Sequence, residues 1–562
     1  MDTFAAVALA FAVAFAVAMA VALAARRAGS LSTSGAVAAT LTGGVAMSVG
    51  WSWGAYLIAW FVSASLLSRM GRAAKEARTG GVIEKDDRRD AGQVVANGGV
   101  FALCALIALG QASPEPASWR YVVKLDSLGR ASVQLALRGV RTHRVCVDMS
   151  GSGRFVHRVE QLLPNGKLQA LPMTGECWTL AASGGPSLTI RYEYDLALAA
   201  DAFGSADYVQ RLGEAVTFSD EAVLLRPDPL PQGRPSPSIE VEFALASGLQ
   251  VTTPWQRLAG PIPRFRLDAA QYDGGSYITV GTFRSLGTIS LPHSSVELYL
   301  IGQSKASDQA LRTWIEQATR LSDDFYGELM PSSVHVVLVA MSGHSGAGVF
   351  GTVMRPLRPS LVIFFGADAT QLSLHDDWLA PHEIFHVGNP LLKYKIPWLT
   401  EGVTTYYQDV LRGRARALSV EETWSDLWDG FYRHCQKEGP SLRTESAQLR
   451  RTHHYTRVYW GGACLLALVD IDIRMESHGK RSLDDVLKEL RRRSLEQPLD
   501  EEDVIRFLEL STKKGLVSRY LDLPGTLPVK EILRSIGVEP ISPDRVQLRD
   551  DAPYASIRRA MF

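Results

Sequence analysis

His382-Glu383-Ile384-Phe385-His386 and, fifteen positions further on, Glu401 within Trp398-Leu399-Thr400-Glu401-Gly402 decide how this chain is read. Residues four apart lie on one face of an α-helix, so His382 and His386 can direct two imidazoles at one ion. A catalytic zinc takes three protein ligands and keeps one position open, and two histidines with a carboxylate make such a set. His382, His386 and Glu401 are therefore the candidate metal ligands, for one Zn2+ per chain. Glu383 stands beside the first histidine as candidate general base, placed to take a proton from water and pass it to a leaving group. A second helical pattern runs from Thr400 to Leu411. Glu401 also has a plainer reading, an acid favoured at a helix N-terminus. Trp398-Leu399 before it and Tyr406-Tyr407 after it make that helix half-buried, and a carboxylate there needs a partner. Most of the other histidines among the twelve read as ordinary core or surface residues.

Outward from this stretch, 562 residues are enough for three or four domains. Lys plus Arg and Asp plus Glu both number 59, so no global field points to nucleic acid. The first 112 residues are mostly Ala, Val, Leu, Gly and Ser. Residues 3–25 are apolar and uncharged up to Arg26-Arg27, long enough to cross a bilayer. No basic residue precedes them, which favours a retained helix over a cleaved signal peptide. Gly35 to Leu67 is interrupted by Gly50-Trp51-Ser52-Trp53-Gly54 and predicts two short helices; Val94 to Leu109 adds a last apolar segment. Four spans put Arg26-Arg27 and the basic loop 69–90 on one side, which the positive-inside rule makes cytoplasmic. The expectation is a multi-pass membrane segment over 1–112, in contact with the bilayer, with the remainder outside the cytoplasm.

Ala112-Ser113-Pro114-Glu115-Pro116 reads as a linker. From Tyr121 to about Gly302, alternating runs such as Ser132 to Leu137 and Leu188 to Tyr194 predict an antiparallel, sandwich-like domain without a catalytic constellation, over 118–303. Leu311, Trp314, Ile315, Ala318 and Leu321 then recur at helical spacing. Val334 to Ala340 and Leu361 to Phe365 read as strands, with the glycine-rich stretch 342–351 between them; helices dominate from Trp378. Residues 541–562 are expected as a C-terminal tail. Cys104 falls in a membrane segment, and Cys435 and Cys464 read as core residues. Cys146 and Cys177 are read equally well as a pair formed in an oxidising compartment or as two buried thiols.

Two resemblances sharpen this. Pro381 to His386 with Asn389, Trp398 to Tyr407, Tyr459-Trp460-Gly461-Gly462-Ala463, Asp470 to Arg474 and Lys480 to Leu487 occur in the order found in the glycyl aminopeptidase family, and the stretch resembles that branch of the gluzincin metallopeptidases. The resemblance spans roughly residues 118–540 and is strongest over 378–490. It implies a thermolysin-like α+β catalytic domain with a helical lobe over 304–540, zinc on His382, His386 and Glu401, Glu383 as base, and Tyr459 as donor to the oxyanion of the tetrahedral intermediate. From the residues alone, Tyr459 and Tyr455 are equal candidates for that donor. Leu31 to Ala36, Ser65 to Arg69 and Arg89 to Val100 resemble the opening of an integral-membrane family that includes the phytyl-phosphate kinases. Only its start is matched, so the implied role is anchoring.

Three departures bear on function. Many relatives carry a Gly-Gly-x-Glu-like stretch whose acid grips the substrate's free amine, and Gly343 to Gly351 has no acid. That opens endopeptidase beside aminopeptidase action, while an edge strand there still offers backbone pairing to an extended peptide. Val387-Gly388-Asn389 replaces a tryptophan-containing version, and too few residues follow Gly537 for the PDZ domain that relatives often have. Two alternatives of other classes stand beside a peptidase acting on peptides or proteins: a peptide-binding protein that kept the fold, and a lipid-modifying membrane enzyme.

Overall fold

The computed structural model describes residues 3–49, 51–69, 89–110, 117–140, 142–181, 187–228, 237–267, 272, 274–435, 438–513 and 515–562, with side chains except at 3–11, 49, 64–69, 97 and 105–110. The chain forms two compact units, Met1–Glu115 and Pro116–Phe562. Most of the basic loop 69–90 and all of the linker 112–116 lie outside the described residues.

The first unit holds helices α1 (Thr3–Arg27), α2 (Thr33–Val49), α3 (Trp51–Arg69) and α4 (Ala91–Gly110), so the second apolar stretch does divide at its glycine-tryptophan break. Small residues let these helices approach closely. A Cβ on Gly44 would stand 2.5 Å from the Phe15 ring, and one on Gly35 would stand 2.1 Å from the Arg89 carbonyl oxygen. Ala14, Ala18, Ala22, Ala36 and Ala38 are buried, while Val13, Met19, Leu23, Val37, Leu41, Trp60 and Leu103 face outward. The expectation of four spans needs a correction: among the described residues, no helix is long and apolar enough to cross a membrane. Helix α2 has 17 residues, short of the about 20 that a bilayer core takes. The other three have part of their length outside the described side chains.

The second unit opens with three sheets over one core that includes Tyr121, Val133, Ile190, Phe218 and Phe243. Arg130–Arg138 alternates buried and exposed residues as a half-covered strand should. The eight-stranded sheet is not purely antiparallel, as the sandwich expectation had it: Ser118–Ser127 pairs in parallel with Ser238–Leu245, Tyr121 opposite Val241. Parallel neighbours require a long crossover, and here it carries four further strands of the same sheet, all four strands of one neighbouring sheet, two of the other and two short α-helices. A disulfide joins Cys146 to Cys177 across adjacent strands.

A five-stranded sheet follows, in the order Arg284–Ser290, Ser295–Ile301, Val334–Met341, Ser360–Gly366, Gly348–Met354. Its central three strands are parallel and its two edges antiparallel. Ser360–Gly366 is wholly buried, in keeping with a parallel strand covered on both faces. The hairpin 284–301, which the expected boundary put with the β-rich domain, hydrogen-bonds into this sheet. Against it pack helices α5 (Asp308–Tyr326), α6 (Leu379–Gly388), α7 (Pro397–Arg414), α8 (Val420–His434), α9 (Tyr455–Glu476) and α10 (Leu483–Glu496), around one apolar core. The residues expected as a tail add a strand pair and a short helix, with Val546, Ile557 and Met561 buried in that core. Cys435 and Cys464 are buried.

Candidate metal centre

All ten residues of α6 are buried, so the helix is held from every side and its side chains have little freedom. Asp377 fixes its start: one carboxylate oxygen accepts from Ala380 N at 2.8 Å and Trp314 Nε1 at 3.1 Å, the other from Gly348 N at 3.0 Å. The same side chain thus caps the helix and ties it to the edge strand Gly348–Met354. Farther along, a Cβ on Gly351 would stand 2.3 Å from Glu383 Cγ. Only a glycine lets the edge strand lie against that carboxylate.

His382, His386 and Glu401 converge. Their nitrogen and oxygen donor atoms all lie within 4.8 Å of one another. Glu401 Oε2 is 3.5 Å from His382 Nε2 and 3.3 Å from His386 Nε2. Ligands about 2.0–2.1 Å from a tetrahedral zinc are themselves about 3.3 Å apart. The three residues present therefore fit zinc in spacing and in donor type. His382 Nδ1 is 2.9 Å from Gln408 Oε1, so this nitrogen carries the proton and Nε2 keeps its lone pair for an ion. The Thr404 hydroxyl lies 3.2 Å and 3.5 Å from the two Nε2 atoms.

Charge follows this geometry. Burial alone would raise the Glu401 carboxyl, but His386 and His382 outweigh it and hold the group well below the usual carboxylate range. Burial would likewise lower His382, and the bond to Glu401 with the charge of Glu383 reverses this and raises it. Glu383 is pushed up by burial, partly offset by His382 and His386. A carboxylate raised toward neutral pH suits a proton acceptor.

Of the two tyrosines, Tyr459 lies at the site: its ring stacks on His382 with centroids 6.4 Å apart and planes at 18°. Burial, followed by the charges of Glu401 and Glu383, raises its phenol above the ordinary range, so it keeps its proton. Tyr455 is 45% exposed and its hydroxyl is 3.4 Å from His453 Nδ1. Sequence reasoning missed Thr404 and Gln408, although they follow Glu401 at i+3 and i+7 on the same helix face. It also missed Asp377 and Arg355, which reach the centre from outside the motif and left no periodic signal.

Three solved structures share this architecture. An aminopeptidase N family protein from Idiomarina loihiensis is 18% identical, with a TM-score of 0.62 over 75% of this chain and 78% of that one. An M1 zinc metallopeptidase from Deinococcus radiodurans is 13% identical, with a TM-score of 0.50 over 74% and 94%. The fold is that of the M1 zinc metallopeptidases. A two-domain M1 zinc metallopeptidase variant bound to L-tryptophan matches at 13% identity and a TM-score of 0.50, over 74% and 96%. Residues 16–136 match the family described as integral membrane protein DUF92. That match runs past the end of the resemblance read near Gly99 and into the first two strands of the M1-like unit. No curated protein sequence matches the chain.

Proposed function

We propose that the chain is a membrane-anchored zinc metallopeptidase that hydrolyses peptide bonds. The observation that carries the reading is the spacing of His382 Nε2, His386 Nε2 and Glu401 Oε2, which suits a tetrahedral ion, with Glu383 directly after His382 on α6. A zinc ion, when bound by these three residues, supplies a Lewis acid that acidifies water and polarises a carbonyl. Glu383 takes the proton of the attacking water and delivers it to the leaving amine. Tyr459 donates its phenolic hydrogen to the oxyanion that develops on the substrate carbonyl. The edge strand Gly348–Met354 binds the peptide through its backbone, with the scissile bond held beside Glu383.

Anchoring rests on the match to an integral-membrane family, on the apolar side chains that α1 to α4 turn outward, and on the small residues where they meet. The Cys146–Cys177 disulfide favours an oxidising compartment for the second unit, outside the cytoplasm. Aminopeptidase action is the family-like reading. One observation favours endopeptidase action instead: residues 343–351, which lead into and begin the edge strand, contain no acid to bind a free amine.

The test is zinc content of the purified full chain, measured beside cleavage of an amine-blocked and an unblocked peptide library. One zinc per chain with cleavage of unblocked peptides alone establishes an aminopeptidase. Cleavage of blocked peptides establishes an endopeptidase. Absence of zinc, or zinc without cleavage of either library, overturns the peptidase reading in favour of a peptide-binding protein.

A further inference from the structure

Helix α6 stops at Gly388, two residues past His386, so this histidine sits in a last turn where backbone carbonyls lack helical partners and helices fray. The turn is gripped from three sides. Arg355, immediately after the edge strand, donates through Nη1 to His386 O at 3.1 Å and to Asn389 O at 3.5 Å. Arg491 on α10 donates through Nη1 to the same Asn389 O at 3.1 Å and through Nε to Leu329 O at 3.2 Å. Tyr326 on α5 donates to Asn389 Oδ1 at 2.9 Å. Gly388 makes room for that tyrosine, since a Cβ there would stand 2.1 Å from Tyr326 Cδ2. The clamped segment is Val387-Gly388-Asn389, where the sequence departs from the glycyl aminopeptidase pattern.

Two guanidinium groups meeting at one carbonyl repel each other; among the described residues neither forms an ion pair, and the carboxylate whose charge favours Arg355 is that of Glu401. Arg491 is 4% exposed, so its charge is also largely removed from water. Like charges held together in poor solvation cost stability. What they gain is position: cations at a helix C-terminus complement its dipole and hold its last carbonyls.

We propose that Arg355 is a positioning residue of the metal centre, which with Arg491 and Tyr326 clamps the final turn of α6 and sets how firmly His386 holds a bound zinc ion. The inference rests on the reading of His382, His386 and Glu401 as zinc ligands. It also gives the edge strand a second tie to α6. Asp377 joins the two at the helix start and Arg355 at its end, which fixes the gap between Gly351 and Glu383.

The experiment uses the full chain and its Arg355→Met, Arg355→Lys and Tyr326→Phe variants. Each is loaded with zinc, and its rate of zinc loss to excess chelator is followed with a metal-sensitive dye. Thermal midpoints of the zinc-free proteins are measured alongside. Arg355→Met is expected to lose zinc about 10–100-fold faster, the range for partners that orient metal ligands. Its zinc-free midpoint stays near the parent's, because the charge removed both repels Arg491 and attracts Glu401. Arg355→Lys, with one point charge in place of a fork, falls between, and Tyr326→Phe loses zinc several-fold faster with almost no change in volume. A zinc-loss rate equal to the parent's in Arg355→Lys and Tyr326→Phe, with lowered zinc-free midpoints, overturns the proposal and makes the clamp merely structural. A parent chain that retains no zinc overturns the ligand reading itself, and the clamp with it.

Discussion

At Glu383 a buried carboxylate has the edge strand packed against it at a glycine, so its position is set by backbone rather than by flexible side chains. Glu383→Gln keeps the shape and removes the proposed proton acceptor. Turnover of a cleaved peptide should fall by about 10²–10⁴-fold, the usual contribution of a general base, with zinc content unchanged. Activity within tenfold of the parent would remove Glu383 from that role. Tyr459→Phe leaves the ring on His382 and deletes only the hydroxyl, so turnover should drop about 10²-fold with little change in KM. If Tyr455→Phe shows that loss instead, the oxyanion donor is misassigned. The two candidate histidine ligands were legible because a four-residue spacing on a helix is written directly in sequence. Tyr459 was separated from Tyr455 only by resemblance, and the structure distinguishes them by exposure and by contact with His382. Arg355 and Asp377 were illegible because their partners belong to elements distant in the chain, and nothing local marks a residue that will meet them.

The two helices that carry Glu401 and Tyr459 approach each other so closely that neither Gly402 nor Gly462 has room for a Cβ. A Cβ on Gly462 of α9 would stand 2.0 Å from the Trp398 carbonyl oxygen of α7, and one on Gly402 would stand 2.6 Å from Gly462 C. Facing glycines thus set the distance between the helix of Glu401 and that of Tyr459. Gly462→Ala should destabilise the chain by about 1–3 kcal/mol, the cost of overpacking a tight contact, and should lower turnover by moving Tyr459. A chemical-denaturation midpoint equal to the parent's would show that α7 and α9 have slack. The glycine pair was visible as Gly461-Gly462 and Gly402 in the quoted motifs, but its meaning as a helix crossing was not. Helix periodicity announces which face is buried and does not say against which helix. The same limit held for strands: Tyr121 to Leu125 was readable as a strand, whereas the parallel pairing of Ser118–Ser127 with Ser238–Leu245 depends on a crossover that local pattern does not encode.

Within the second unit, the β-rich sheets meet the five-stranded sheet at a buried histidine. His335, on Val334–Met341, lies 2.7 Å through Nε2 from Thr252 Oγ1 on Gln250–Thr252, with its ring 5.1 Å from that of Tyr299. Its Nδ1 finds no partner among the described residues. Burial alone lowers its pKa to about 3, against an ordinary value of 6.5. Between those limits the unfolded chain binds a proton that the folded chain refuses, so stability falls as pH drops from 6.5 toward 3 and is fully present above 6.5. One such group contributes a slope of up to about 1.4 kcal/mol per pH unit. His335→Gln keeps a hydrogen-bonding end near Thr252 and does not titrate. Its thermal midpoint should therefore decline less steeply than the parent's between pH 6.5 and 4.5, whatever the offset between the two at pH 7. The carboxylates common to both chains cancel in that comparison, which isolates the histidine. Parallel curves over the whole interval would mean that His335 is protonated in the fold and that the joint between the sheets opens without unfolding either one. This joint was invisible in the sequence, where His335 is one of twelve histidines, because what sets its charge is the closure of two sheets over it rather than any residue beside it.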